Sequence, residues 1–164
     1  MICRVVTSLL VLLTLGACRQ YDVSFNERVV YSPRPLLTDF TVNDPALQRC
    51  LERTVIDGKI SSIGELQRLD CQGAGIRDIT GLGYFSGLSH IDLSDNAISE
   101  IDELGVLLEL RTLILENNRI DNASRLYSLP TLAVLNLQGN PGLQCPTPGQ
   151  LQQLERLTLP RHCR

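Results

Sequence analysis

Residues 66–76 read LQRLDCQGAGI, residues 88–98 LSHIDLSDNAI, residues 110–120 LRTLILENNRI and residues 132–142 LAVLNLQGNPG. The opening residues Leu66, Leu88, Leu110 and Leu132 are each 22 residues apart. The fourth and sixth positions of the blocks are Leu69/Cys71, Ile91/Leu93, Leu113/Leu115 and Leu135/Leu137. The ninth is Ala74, Asn96, Asn118 and Asn140, and the eleventh is Ile76, Ile98, Ile120 and Gly142, with Leu143 one residue late. Self-similarity at a fixed period of this length is the signature of stacked structural units. A heptad pattern would drift out of a 22-residue frame.

The physics of one block can be read from its alternation. Side chains of a strand point to opposite faces in turn, so positions 4 and 6 share one face and positions 3, 5 and 7 the other. Leu and Ile at 4 and 6 mark that face as core. The Asn at position 9 turns the chain out of the strand, and its amide can bond backbone groups that a turn leaves unpaired. Ala74 interrupts this Asn series in the first block, so a differently bonded turn is expected there. Between blocks, Ile79/Leu82/Phe85, Ile101/Leu104/Leu107 and Ala123/Leu126/Leu129 recur at three-residue steps, the spacing of a 3₁₀ helix.

The pattern L-x-x-L-x-L-x-x-N-x-L over residues 66–143 resembles the leucine-rich repeat, and its 22-residue length resembles the internalin-like class. The resemblance implies an α/β solenoid. Parallel strands line its concave side, short helical or 3₁₀ pieces its convex side, and helical caps close its ends. No single repeat buries its own apolar face, so each depends on its neighbours.

Both flanks read as caps. Asp44-Pro45 starts a helix, with Asp as N-cap and Pro at the first helical position. Leu47, Cys50, Leu51 and Thr54 or Val55 follow on one face, which makes residues 44–65 an N-terminal cap. At the other end, Thr147 and Gln150 fit a capping box with Pro148 at the first helical position. Leu151, Leu154 and Leu157 then supply an apolar stripe, so residues 144–164 are expected to form a C-terminal cap.

The N-terminus is an address. Arg4 precedes an apolar run from Val5 to Leu15, the plan of a secretory signal. The run is shorter than the roughly 20 residues a membrane-spanning helix needs. It ends Leu15-Gly16-Ala17-Cys18, which resembles the lipobox of bacterial lipoproteins. That resemblance implies removal of residues 1–17 and acylation of Cys18, with two or more chains giving stable anchoring. Lipoproteins retained at the inner membrane tend to carry Asp after the lipidated Cys. Here the residue is Arg19, which favours a Gram-negative outer membrane, a Gram-positive surface being the other placement. An ordinary signal peptide with Cys18 in a disulfide is the plainer alternative. Residues 18–43 read as the lipidated Cys and a spacer, with a short strand near Val29-Val30-Tyr31 and buriable side chains at Phe40 and Val42.

Six cysteines in 164 residues suggest an oxidising compartment. With Cys3 in the signal and Cys18 acylated, four remain, and each cap region holds its own. Cys71 occupies a core position beneath the helix that carries Cys50, and Cys145 and Cys163 both lie in the C-terminal cap. The expected pairs are Cys50–Cys71 and Cys145–Cys163, each closing a loop worth on the order of 3 kcal/mol. Zinc is disfavoured because no CxxC spacing exists.

Function is sought on the concave strand positions. Position 3 offers Arg68, His90, Thr112 and Val134. Position 5 offers Asp70, Asp92, Ile114 and Asn136, and position 7 offers Gln72, Ser94, Glu116 and Gln138. Ile114 and Val134 are apolar where solvent is expected, and an apolar spot rimmed by polar groups suits an anchor. His90, Asp92 and Ser94 share a face, but a triad places the imidazole between acid and nucleophile, whereas here Asp92 is central. His90 beside Asp70 and Asp92 reads as a mild ion pair rather than a metal site, and His162 has no partner by spacing. No phosphate-cradling glycine loop or dinucleotide fingerprint occurs. The net charge of −3 and 4% aromatic content argue against nucleic-acid binding. No cofactor is expected. The reading is a membrane-anchored, non-enzymatic module that binds a protein through its concave face. A structural envelope protein or cell-wall glycan binder is the alternative.

Overall fold

The structure, a computed structural model, describes residues 23–25, 28–31, 36–147 and 149–163. The signal segment, Cys3, Cys18 and Pro148 lie outside them. The chain divides into two compact units, Met1–Pro35 and Leu36–Arg164. In the first, strands β1 (Val23–Phe25) and β2 (Arg28–Tyr31) pair antiparallel. The second strand covers the Val29-Val30-Tyr31 segment expected to be extended.

The second unit opens with residues 36–43, part of the stretch read as spacer. They pack along the domain: Leu37 N–H donates to the Ile60 carbonyl at 2.8 Å, and Phe40 meets Phe85 edge to face at 5.4 Å. Helix α1 (Pro45–Gly58) begins where Asp44-Pro45 places it. Asp44 Oδ1 accepts from the Ala46 and Leu47 amides at 2.7 and 3.2 Å. The apolar face buries Leu47, Leu51 and Val55. The helix ends at Lys59, whose left-handed φ of 50° reverses the chain and lets Ile60 N–H reach the Val55 carbonyl.

Strands β3 (Arg68–Asp70), β4 (His90–Asp92), β5 (Thr112–Ile114) and β6 (Val134–Asn136) follow, one per 22-residue block. They pair in parallel and in register, so that Leu69, Ile91, Leu113 and Leu135 are neighbouring rungs. All four are buried, as are the position 6 residues Cys71, Leu93, Leu115 and Leu137. The connecting segments carry 3₁₀ turns at Leu82–Tyr84, Asp102–Val106 and Ser124–Ser128. Their three-residue apolar series is buried throughout, from Ile79 to Leu129. Parallel strands on one side, 3₁₀ turns on the other and a continuous apolar core between them form the expected solenoid.

The C-terminal cap differs from its expectation. Thr147 N–H does donate to Gln150 Oε1 at 2.8 Å, yet no helix follows. Gly149 sits at φ 100°, which no helix accommodates, and residues 149–153 form turns. The chain then adds strand β7 (Arg156–Thr158), parallel to β6 with Leu135 opposite Leu157. Leu154, Leu157 and Leu159 therefore continue the 22-residue frame as a fifth rung and do not form a helical stripe. Stacking on β6 satisfies that strand's open edge, which a helix would leave unpaired. The only helical piece of this cap among the described residues is the 3₁₀ turn Arg161–Cys163.

Both expected disulfides are present. Cys50–Cys71 ties α1 to the first rung, and Cys145–Cys163 closes the last. No described helix is long and apolar enough to cross a membrane.

Candidate functional site

The concave ribbon is held in shape by the turn that follows each strand. Asn96 Oδ1 accepts from the Gly75 and Ile76 amides of the preceding turn, both at 2.9 Å. Its Nδ2 lies within bonding distance of the Cys71, Leu93 and Ser94 carbonyls. Asn118 and Asn140 repeat the scheme on Ile98 and Ile120. Each Asn thus binds its own turn to the one before. Ala74 cannot, and Asp44 takes up part of the duty at that end. Its Oδ2 accepts from the Arg77 and Asp78 amides at 2.8 and 3.1 Å.

A second periodic feature was not read from the sequence. The eighth residue of every block, Gly73, Asp95, Asn117 or Gly139, has a φ between 54° and 72°. Only Gly visits that region freely, with Asn and Asp next. The recurrence of these three residue types at one position was the available signal.

The face so formed is more internally bonded than its composition suggests. Gln72 Nε2 and Asn117 Nδ2 both donate to the Asp95 carboxylate, at 2.9 and 2.8 Å. These two bonds, Asn117 first, hold the Asp95 pKa below its ordinary value. Glu116 accepts from Asn136 Nδ2 at 3.0 Å and Gln138 Nε2 at 3.4 Å, both on the next rung. Ser94, expected to face outward, is only 5% exposed. Its hydroxyl donates to Asp92 Oδ1 and its amide does the same at 2.9 Å, because the chain is already turning at that point. Ser94 is therefore withdrawn from the concave surface. His90 Nδ1 instead shares a hydrogen bond with the Ser89 hydroxyl at 3.0 Å.

Arg68, Asp70, Gln72 and Gln138 are exposed, while His90, Asp92, Thr112, Ile114, Glu116, Val134 and Asn136 are half-buried. Register sets Ile114 between Asp92 and Asn136, and Val134 between Thr112 and Arg156. The two apolar residues are thus on adjacent strands within a polar rim. Their half-burial makes them a shallow spot rather than a protruding one.

Two features escaped the sequence reading. Arg68, Asp70 and Gln72 line an open cavity of about 770 Å³ between α1 and the first rung, with Arg49 and Arg53 on its helical wall. The four-residue spacing of those arginines on a helix was its only trace. Several large exposed apolar side chains lie on the 3₁₀ side. Tyr84 and Val106 occupy equivalent positions of successive repeats, 77% and 62% exposed, with Leu108 at 60%.

Comparison with known proteins follows the same lines. No protein-family profile matches the chain, and no curated protein does. Solved structures do. Internalin C2 of Listeria monocytogenes aligns with a TM-score of 0.50 and 21% identity over 71% of this chain and 64% of its own. A leucine-rich repeat protein of Leptospira interrogans aligns with a TM-score of 0.46 and 28% identity, over 51% of this chain and 22% of its own. The chain spans less than two thirds of either. With its in-register strands, Asn-bridged turns and 3₁₀ connections, the chain has the leucine-rich repeat fold.

Proposed function

We propose that this chain is a lipid-anchored module of a bacterial cell envelope that binds a protein partner, without catalysis, through the concave strands. The observation that carries the reading is continuity. The exposed residues of the first rung, Arg68, Asp70 and Gln72, also line the 770 Å³ recess under α1. A partner laid along the strands would meet this recess at one end and the Ile114–Val134 spot further along. Side chains along the ribbon are held by bonds from rung to rung, and a surface fixed before binding gives up less entropy on binding. Anchoring rests on the Leu15-Gly16-Ala17-Cys18 motif, and the outer membrane on Arg19.

The test is a cross-linked pull-down from membranes with wild-type protein and the Ile114→Asp/Val134→Asp variant. A partner enriched by the first and lost by the second supports the reading. Enrichment of none by either favours the alternative of a structural or glycan-binding envelope protein. Retention of the partner by this variant, with loss in Tyr84→Asp/Val106→Asp, moves recognition to the 3₁₀ side. Mass spectrometry of the mature N-terminus checks the anchor: a Cys18 without acyl chains overturns it.

A further inference from the structure

Three arginines gather at one end of the concave ribbon. Arg49 and Arg53, one turn apart on α1, and Arg68 on β3 line the cavity of about 770 Å³ beneath the helix. All three are exposed. Among the described residues, none of their guanidinium groups is engaged in an ion pair or a hydrogen bond. Like charges four residues apart on a helix repel, so the placement of Arg49 and Arg53 works against α1 on its own. Asp57, Glu65 and Asp70 line the same cavity. Glu65 accepts from the Ser61 amide and hydroxyl, both at 2.9 Å, and Asp70 Oδ1 accepts from the Gln72 amide at 3.4 Å. Asp57 stands in the last turn of α1, four residues beyond Arg53, and makes no ion pair with it. Glu52, three residues after Arg49, is held by Gln48 Nε2 at 2.9 Å. The cavity thus has acids on its walls and still leaves three guanidinium forks without a partner.

Two further observations narrow what the recess can take. Cys50 Sγ rests 3.3 Å from the Asp70 carbonyl oxygen, so α1 covers this end of the β3 edge. A ligand there is met by side chains and not by strand pairing. Charge then changes sign along the ribbon. Beyond Arg68, positions 3, 5 and 7 of the second to fourth blocks contain no Lys or Arg and do contain Asp92 and Glu116, with Asp95 on the adjoining turn. A uniformly anionic surface, such as a sheet of lipid headgroups, would be drawn to the recess and repelled by the next two rungs. A peptide can carry its carboxylates at one end only, and a guanidinium fork matches a carboxylate with two parallel hydrogen bonds. We propose that the recess binds an acidic segment of the protein partner, its carboxylates held by Arg49, Arg53 and Arg68. The proposal rests on the concave-face reading above and adds a direction to it. The partner's acidic segment lies under α1, and a neutral or basic segment follows along β4 and β5. A cleft lined by one sign of unpaired charge focuses the field on an incoming ligand, and the attraction is screened by salt.

The test uses the full chain with both disulfides intact and two fluorescein-labelled probes, acetylated hexaglutamate and acetylated hexaglutamine. The expected result is saturable binding of hexaglutamate that weakens as salt rises, with no binding of hexaglutamine. Arg49→Gln/Arg53→Gln/Arg68→Gln weakens it by at least about tenfold. The charge-matched Arg77→Gln/Arg111→Gln/Arg119→Gln, whose arginines are exposed and outside the recess, keeps it. Circular dichroism checks that each variant is folded, and the Nε–H resonances of the three recess arginines are expected to move on binding. Equal binding of both probes, unchanged binding by the recess variant, or equal loss in the two triple variants overturns the proposal. So does arginine-dependent binding of phosphatidylglycerol vesicles by a chain that ignores hexaglutamate, which assigns the recess to lipid headgroups. The membrane pull-down separates this proposal from the reading beneath it. A partner lost by Ile114→Asp/Val134→Asp and retained by the recess variant overturns the proposal and leaves concave recognition standing. Hexaglutamate bound through the recess arginines, with no partner enriched by the wild type, supports the recess as an acidic-peptide site and overturns the concave reading instead.

Discussion

Asn118 is 5% exposed, and its amide both accepts from and donates to backbone groups of two rungs. Its Oδ1 accepts from Ile98 N–H, and its Nδ2 faces the carbonyls of Leu93, Leu115 and Glu116. Removing it leaves buried backbone groups of two rungs unpaired. Asn118→Ala is therefore expected to cost about 2–4 kcal/mol in chemical denaturation. Asp44 does related work at the N-terminal end. Burial alone would raise its pKa, but amides from Arg77, Asp78, Ala46 and Leu47 outweigh it and hold the carboxyl below its ordinary 3.8. A depressed folded-state pKa contributes stability that is complete above the unfolded value and is lost as pH falls through the folded one. Wild-type protein should then lose more stability than Asp44→Asn between pH 6 and pH 3, measured by urea unfolding, and equal losses would refute the assignment. The Asn series and the Asp44 cap were legible because each residue type has few other uses at such a place. The positive φ of the eighth residues was legible only in retrospect. Gly139 shows why it matters, since a Cβ there would fall on Asn117 Oδ1 and stand 2.9 Å from its amide nitrogen.

One strand of three residues is no stable element by itself. Each rung is defined by what lies above and below it, and Leu113 lies fully buried between Ile91 and Leu135. Leu113→Ala should cost roughly 2–5 kcal/mol, the range of core truncations, and a thermal shift near zero would contradict its place in the core. The five strands differed in how plainly the sequence announced them. Four carry Leu or Ile at position 4 and an apolar residue at position 6, Cys71 in the first and Leu in the other three. The fifth, LERLTLPRHCR at 154–164, keeps the leucines but has Pro160 at position 7 and His162 at the Asn position. Leu151, Leu154 and Leu157 also match helical spacing, so local pattern and repeat frame competed there. The frame won because β6 had an edge to satisfy and Gly149 broke the helix before it began. The concave site was legible in its columns but not in its depth. Alternation says which way a side chain points. It does not say that Ser94 will be drawn inward by Asp92 or that Glu116 will be held by the next rung's amides.

A solenoid transmits stability along one axis only, since each repeat touches only its neighbours. Its two ends are therefore separately braced: α1 and Cys50–Cys71 at one, β7 and Cys145–Cys163 at the other. These braces should act locally. The loops span sequence separations of 21 and 18 residues, and closing one is worth about 3 kcal/mol by the chain-entropy argument. Opening the second in Cys145→Ser/Cys163→Ser lowers the free energy needed to fray β7 away from β6. It changes nothing between β3 and β4, three rungs away. Native-state hydrogen exchange should then show faster exchange of the Leu137 amide, which donates to Thr158 on β7. The Cys71 amide, which donates to Asp92 on β4, should exchange as in the wild type. Leu113→Ala, placed mid-array, should accelerate both, because a break there uncouples either half from the rungs that support it. Uniform acceleration by the cysteine variant would mean the array unfolds as one cooperative block.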